Sequence, residues 1–191
     1  MKIKEKEKVL LLCVENRSQI LTEYAKWLVD IAWNREVEGI KFWKGQRRPI
    51  WYMRRVMIAE ALQQTNFDYL LFVDTDVIPP KGFIDKFIAT FKKEKVDGLC
   101  GTYFLTDGNP VNRKDNKAYK GKGIEEVDVL GMGFSMFNRK CLNEVMYPDP
   151  EPIIKPDGDL EFCRQLKEKG YILKQDFDIK AYHLLQAPFI F

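Results

Sequence analysis

From Val9 to Gly101, apolar residues fall into two alternating rhythms. Four short segments, Val9–Val14, Gly39–Phe42, Tyr69–Val73 and Val96–Gly101, read as strands, the first and third of them continuous apolar runs. Between them, apolar residues recur at helical spacing. The first stripe is Ile20, Leu21, Tyr24, Trp27, Leu28 and Ile31, behind Ser18 as a candidate cap. The second starts at Pro49 and runs through Met53, Val56, Met57, Ala61 and Leu62. The third, with Pro80 in its first turn, carries Phe83, Ile84, Phe87, Ile88 and Phe91. Apolar strands alternating with amphipathic helices predict an α/β architecture: a central, mostly parallel sheet flanked by helices.

Beyond Tyr103 the rhythm changes. Thr106–Gly123 is rich in Gly, Asn, Asp and Lys and contains Arg113, Lys114, Lys117, Lys120 and Lys122, which reads as a mobile basic loop. Two strands are expected at Glu126–Leu130 and Phe134–Phe137, joined through Gly131-Met132-Gly133. A helix near Arg139–Val145 and a proline-rich loop, Tyr147–Pro156, follow. A second amphipathic helix, Asp159–Lys169, ends at Gly170, a good C-cap. Short strands at Tyr171–Lys174 and Ile179–Tyr182 lead to His183, and the apolar tail Ala187–Phe191 either docks on the core or touches a membrane.

With 191 residues, the chain is expected to form a single compact domain. Hydrophobic residues make up 46% and charged residues 31%, ordinary globular usage that excludes a disordered chain. A net charge of +3 is too mild to imply a nucleic-acid partner. The four cysteines form no C-x-x-C pair and suit buried free thiols better than zinc ligands or disulfides. The Val9–Val14 run is too short for a signal peptide or a membrane span, and no other segment approaches spanning length. A cytoplasmic protein is expected, with a peripheral membrane contact left open.

Three places carry candidate chemistry. Tyr69–Val73 ends in Asp74-Thr75-Asp76, two carboxylates that can point the same way from one strand end, followed by Pro79-Pro80. Acids there suit a divalent cation or a phosphate-bound metal; the plainer alternative is a solvated Asp74 and a helix-capping Asp76. Gly131-Met132-Gly133 permits close backbone approach to a ligand, or makes a tight turn. Asp157-Gly158-Asp159 stands at a loop-to-helix junction, where Asp159 is either a site residue or an N-cap. His183, the only histidine, is a site residue or a packed core side chain.

In this order and spacing, these elements resemble the GT-A-fold glycosyltransferases, in particular the inverting family 2 enzymes. The residues that carry the likeness are Arg54 and Arg55 on the second helix, Asp74 and Asp76 before Pro79-Pro80, Gly131–Phe134, Asp159 before Phe162-Cys163, and His183-Leu184. The resemblance implies a nucleotide-diphospho-sugar transferase-like fold. Residues 9–103 would hold the donor, 104–125 would be the mobile basic loop and 126–185 the acceptor and catalytic half. It implies a UDP- or GDP-sugar donor, an unspecified glycan, lipid or protein acceptor, and a Mn²⁺ or Mg²⁺ cofactor. Asp76 and His183 would hold the metal and Asp159 would be the general base, with Asp157 as its competitor. Asp74, Thr75, Glu15, Arg55, Gly131, Met132 and Gly133 would contact the donor.

Two other readings stand beside it. One is a sugar-nucleotide nucleotidyltransferase, although Glu15-Asn16-Arg17-Ser18 lacks the glycine-rich loop of that chemistry. The other is a non-enzymatic protein binding nucleic acid or a membrane surface, resting on the interleaved aromatic and basic residues from Phe42 to Arg55.

Overall fold

Strand β1 (Val9–Glu15) lies between β2 (Gly39–Lys44) and β3 (Tyr69–Val73), parallel to both. The computed structural model describes residues 7–15, 22–33, 37–44, 50–64, 66–104, 110, 113–114, 117–146 and 158–184. The remaining elements are α1 (Thr22–Trp33), α2 (Ile50–Gln64), β4 (Val77–Ile78), α3 (Phe83–Glu94), β5 (Gly98–Thr102), β6 (Arg113–Lys114), β7 (Lys117–Ala118), β8 (Ile124–Glu126), β9 (Phe134–Asn138), α4 (Arg139–Glu144), α5 (Gly158–Glu168), β10 (Leu173–Lys180) and β11 (Tyr182–His183). The main sheet runs β2-β1-β3-β9-β5-β10-β8. Strands β1, β2, β3, β5 and β10 point one way, and β9 and β8 run against them.

The apolar runs are continuous because both faces of the sheet are covered. Leu10, Leu12, Leu70 and Phe72 share one core with Met53, Met57 and Ala61 of α2 and Phe162 of α5. Val9, Leu11, Leu71 and Val73 face the other way, onto Tyr24 and Ile31 of α1 and Phe83 and Phe87 of α3. Each wholly buried side chain of this size contributes roughly 1.5–3 kcal/mol relative to exposure, which is what holds the site's scaffold rigid.

Several expected boundaries move. Helix α3 starts at Phe83 rather than around Pro80, because Gly82 turns the chain at φ 71°, a left-handed conformation that glycine adopts without strain. The strand expected at Glu126–Leu130 is β8, earlier and shorter; Val127, Val129 and Leu130 leave the ladder to pack in the core against α5. The two short strands expected after Gly170 form one, β10, whose register against β5 shifts between Gln175 and Lys180. Of its buried polar residues, Gln175 donates from Nε2 to Thr102 Oγ1 at 2.9 Å while its Oε1 is buried without a partner among the described residues, and Asp176 Oδ1 accepts from the Asp178 N–H at 3.0 Å.

In the basic loop, β6 and β7 pair as a small hairpin, and Tyr119 packs its ring edge-on against Phe177 with centroids 5.7 Å apart. The expected cap Ser18, Pro49, the Tyr147–Pro156 loop, Asp157 and the apolar tail lie outside the described residues, as does the side chain of Glu15. Among the described residues, no helix is long and apolar enough to cross a membrane.

Candidate active site

Strand β3 stops at Val73, and the chain turns sharply. The Val77 N–H donates to the Asp74 carbonyl at 2.9 Å, closing a four-residue turn that contains Thr75 and Asp76. The two acids therefore do not share a strand face. Asp74 points toward α2, and Asp76 toward the end of the chain. Thr75, between them, is buried.

The Asp76 side is built by a two-stranded ladder that no local pattern announces. Strand β4 pairs antiparallel with β11, setting His183 opposite Val77, and the Leu184 N–H donates to the Asp76 carbonyl at 2.8 Å. This pairing brings Asp76 Oδ2 within 3.4 Å of His183 Nε2. His183 Nδ1 lies 2.7 Å from the Phe104 carbonyl oxygen. A carbonyl only accepts, so Nδ1 carries the proton, and in the neutral ring Nε2 would present its lone pair to the carboxylate. Two acceptors facing each other at this distance call for a proton or a cation between them. One oxygen and one imidazole nitrogen fit Mn²⁺ better than Mg²⁺, which prefers an all-oxygen shell. Among the described residues, no group of three or more His, Cys, Asp and Glu side chains could hold a metal.

On the Asp74 side, an arginine organises the acids. Arg54 Nη2 meets both Asp74 oxygens, at 3.1 and 3.0 Å, and Nη1 meets Asp159 Oδ1 at 2.8 Å. Arg54 is 4% exposed, so these are bonds of a desolvated cation. Asp159 lies in the first turn of α5, and its Oδ2 is 3.4 Å from the Met132 N–H. Burial raises the Asp74 carboxyl above its ordinary pKa; Arg54 opposes this, while Asp76 and Asp159 add to it.

The glycine turn completes the floor. The Asp74 N–H donates to the Gly133 carbonyl at 3.0 Å, and the Gly133 N–H donates to the Tyr103 hydroxyl at 3.0 Å. A Cβ on Gly133 would stand 2.6 Å from Tyr103 Oη and 2.7 Å from Asp74 Oδ2, so no side chain fits. Gly131 closes the turn through its carbonyl, which accepts from the Phe134 N–H at 3.3 Å. The tight turn is present, and the close approach at Gly133 is to Tyr103 and Asp74. Met132 is wholly buried, and it meets Asp159 through its backbone alone.

Of the expected site residues, Asp74, Asp76, Asp159, Gly133 and His183 converge here, with Met132 contributing backbone. The guanidinium that reaches the acids belongs to Arg54, and the half-buried Arg55 projects about 100° further round α2. Helical spacing carried the signal, since Arg54 falls on the stripe of Ile58 and Ala61 that faces the core. Tyr103 was not marked by any motif. Its hydroxyl is buried beside Gly133, and burial pushes its pKa well above the usual phenol value.

Residues 57–149 match the model of the glycosyl transferase family 2. No curated protein shows significant sequence similarity to the chain. Among solved structures, A197 from STIV superposes with a TM-score of 0.70 at 24% identity, over 92% of this chain and 85% of that one. GalNAc-T7, solved with UDP, GalNAc and Mn²⁺, superposes with a TM-score of 0.59 at 12% identity, over 94% of this chain and 45% of that one. At such identities the structures establish the fold, and the family match over 57–149 supports glycosyl transfer in general terms. The chain has a GT-A-like fold and, over residues 57–149, resembles the family 2 glycosyltransferases.

Proposed function

We propose that the protein is a metal-dependent, inverting enzyme that moves a sugar from a UDP- or GDP-sugar to an acceptor hydroxyl. The observation that carries the metal is the facing of Asp76 Oδ2 and His183 Nε2 at 3.4 Å, with the histidine tautomer set by Phe104. These two residues hold the cation, which when bound neutralises charge on the leaving diphosphate. The presence of UDP, GalNAc and Mn²⁺ in the GalNAc-T7 structure supports a nucleotide-sugar donor and a divalent cation in general.

Asp159 is the general base. Arg54 holds its Oδ1, so the acceptor proton goes to Oδ2. Asp74, fixed by Arg54 and the Gly133 carbonyl, contacts the donor with Thr75 and the Gly131–Gly133 backbone. The donor half is 9–103 and the acceptor half 126–185. A reducing, cytoplasmic setting agrees with four buried, free cysteines, and a peripheral membrane contact belongs to the same reading.

The test is a thermal-shift screen of sugar nucleotides with and without Mn²⁺. One nucleotide should raise the melting temperature of the wild type only when the metal is present, and should fail to do so for Asp76→Ala. A shift that ignores both metal and Asp76 would refute the metal site.

A further inference from the structure

Beside the catalytic cluster lies a cavity of about 310 Å³ that none of the roles above uses. It sits past the carboxyl ends of β5 and β10, where the Ala181 N–H donates to the Thr102 carbonyl at 2.8 Å. Phe104 joins it to the proposed metal site, because this lining residue supplies the carbonyl that orients His183. Tyr103, the residue before Phe104, reaches the glycine turn instead. Cavity and catalytic cluster are therefore served by consecutive residues of one segment.

The chemistry of the cavity is mixed. Phe104, Tyr119 and Phe177 give it aromatic walls, and the Tyr119 ring is braced by its hydroxyl bond to Glu125 at 2.6 Å. Lys120, Lys122 and Lys180 line it against a single carboxylate, Asp178. Lys114 adds an ammonium 5.0 Å from the Tyr119 ring centroid. A polar anchor sits in the lining. Thr102, 4% exposed, accepts from Gln175 Nε2 at 2.9 Å, which leaves its own hydroxyl proton for another acceptor. A buried donor, an excess of ammonium groups and aromatic walls together match an anionic oxygen carried on an apolar or ring-shaped body.

We propose that this cavity is the acceptor subsite, and that the acceptor it selects carries a phosphate group beside the hydroxyl to be glycosylated. The inference rests on the glycosyl-transfer reading and adds to it the acceptor's chemical class. The acceptor phosphate bonds to Lys120, Lys122, Lys180 and the Thr102 hydroxyl, and its body lies against Tyr119 and Phe177. The transfer step keeps its balance: the acceptor oxygen bonds to the anomeric carbon and its proton passes to Asp159. The bond from that carbon to the diphosphate breaks, and its electron pair leaves with the nucleoside diphosphate.

Calorimetry with glucose 6-phosphate and with glucose tests the site without catalysis. The phosphate sugar should bind the wild type in the presence of saturating UDP and Mn²⁺, and glucose should not. Lys122→Glu combined with Lys180→Glu should weaken that binding at least about tenfold, the loss expected for one charge-assisted hydrogen bond. Vesicles of phosphatidic acid, against phosphatidylcholine, form the second arm. Lysine-dependent capture by the former alone makes the phosphate lipid-borne, and binding of the soluble sugar makes it free. Displacement of the probe by UDP, binding that survives the lysine changes, or binding in neither arm would overturn the proposal.

Turnover separates this from failure of the parent reading. Donor hydrolysis to water should be unchanged in the lysine variant, while transfer to phosphorylated acceptors is lost. A wild type that binds the phosphate probe yet never consumes a sugar nucleotide would refute glycosyl transfer and spare the anion site.

Discussion

Asp74 and Asp76 are separated by Thr75 alone, yet they occupy different surroundings. Asp74 shares a buried guanidinium with Asp159 and receives its backbone support from Gly133. Asp76 faces an imidazole whose tautomer is set from behind by a carbonyl. A pair of carboxylates at a strand end is thus two half-sites. One is compensated by the protein's own cation, and the other faces the His183 ring, where the proposed metal would sit.

The sharpest way to break this comparison is to remove one acid from each half. Asp76→Ala and Asp159→Asn should each lower transfer by about 10²–10⁴-fold, the usual worth of a positioned acid–base group or metal ligand. Only Asp76→Ala should also abolish Mn²⁺-dependent donor binding, which calorimetry would read. Equal loss of donor binding in both variants would erase the distinction.

Arg54→Met attacks the compensated half directly. Two carboxylates would lose a partner that is itself almost wholly buried, and such a break costs about 3 kcal/mol or more in unfolding free energy. Urea denaturation should show the loss, whereas His183→Gln should show much less.

A smaller effect is expected at the floor. Gly133→Ala places a methyl 2.6 Å from Tyr103 Oη and 2.7 Å from Asp74 Oδ2, and should destabilise by about 1–3 kcal/mol. Adding Tyr103→Phe removes the nearer atom and should recover part of that loss, a coupling measurable by a double-mutant cycle.

The smallest expected signal is a pH dependence. Burial leaves Asp74 with a raised pKa in the folded protein. Its contribution to stability is then fully present below the unfolded value, near 3.9, and declines as pH rises through the folded value. The stability of the wild type relative to Asp74→Asn should therefore fall across that interval. A rise instead would show that Arg54 outweighs burial.

Much of this was legible from residue order. The runs that became β1, β3 and β9 and the stripes of α2, α3 and α5 are local periodicities, and local spacing is what a side chain on a strand or helix must obey. Asp74, Asp76, Asp159, Gly133 and His183 could be marked because each stands where an element begins or ends. Arg54 and Arg55 were adjacent and equally basic, and only the face that α2 turns inward separates them.

What the chain's own order supplied, then, was the elements, their α/β alternation and a short set of chemically apt residues. Folding supplied the partners. The pairing of β4 with β11, the insertion of β9 between β3 and β5, and the bridge from Arg54 to two acids 20 and 105 residues away all join distant segments. Such contacts leave no local imprint, because the strand or helix that presents each group is equally stable whichever partner it meets. The division of the two acids, one bonded to Arg54 and the other facing His183, is therefore a property of the packed sheet, not of the Asp-Thr-Asp tripeptide.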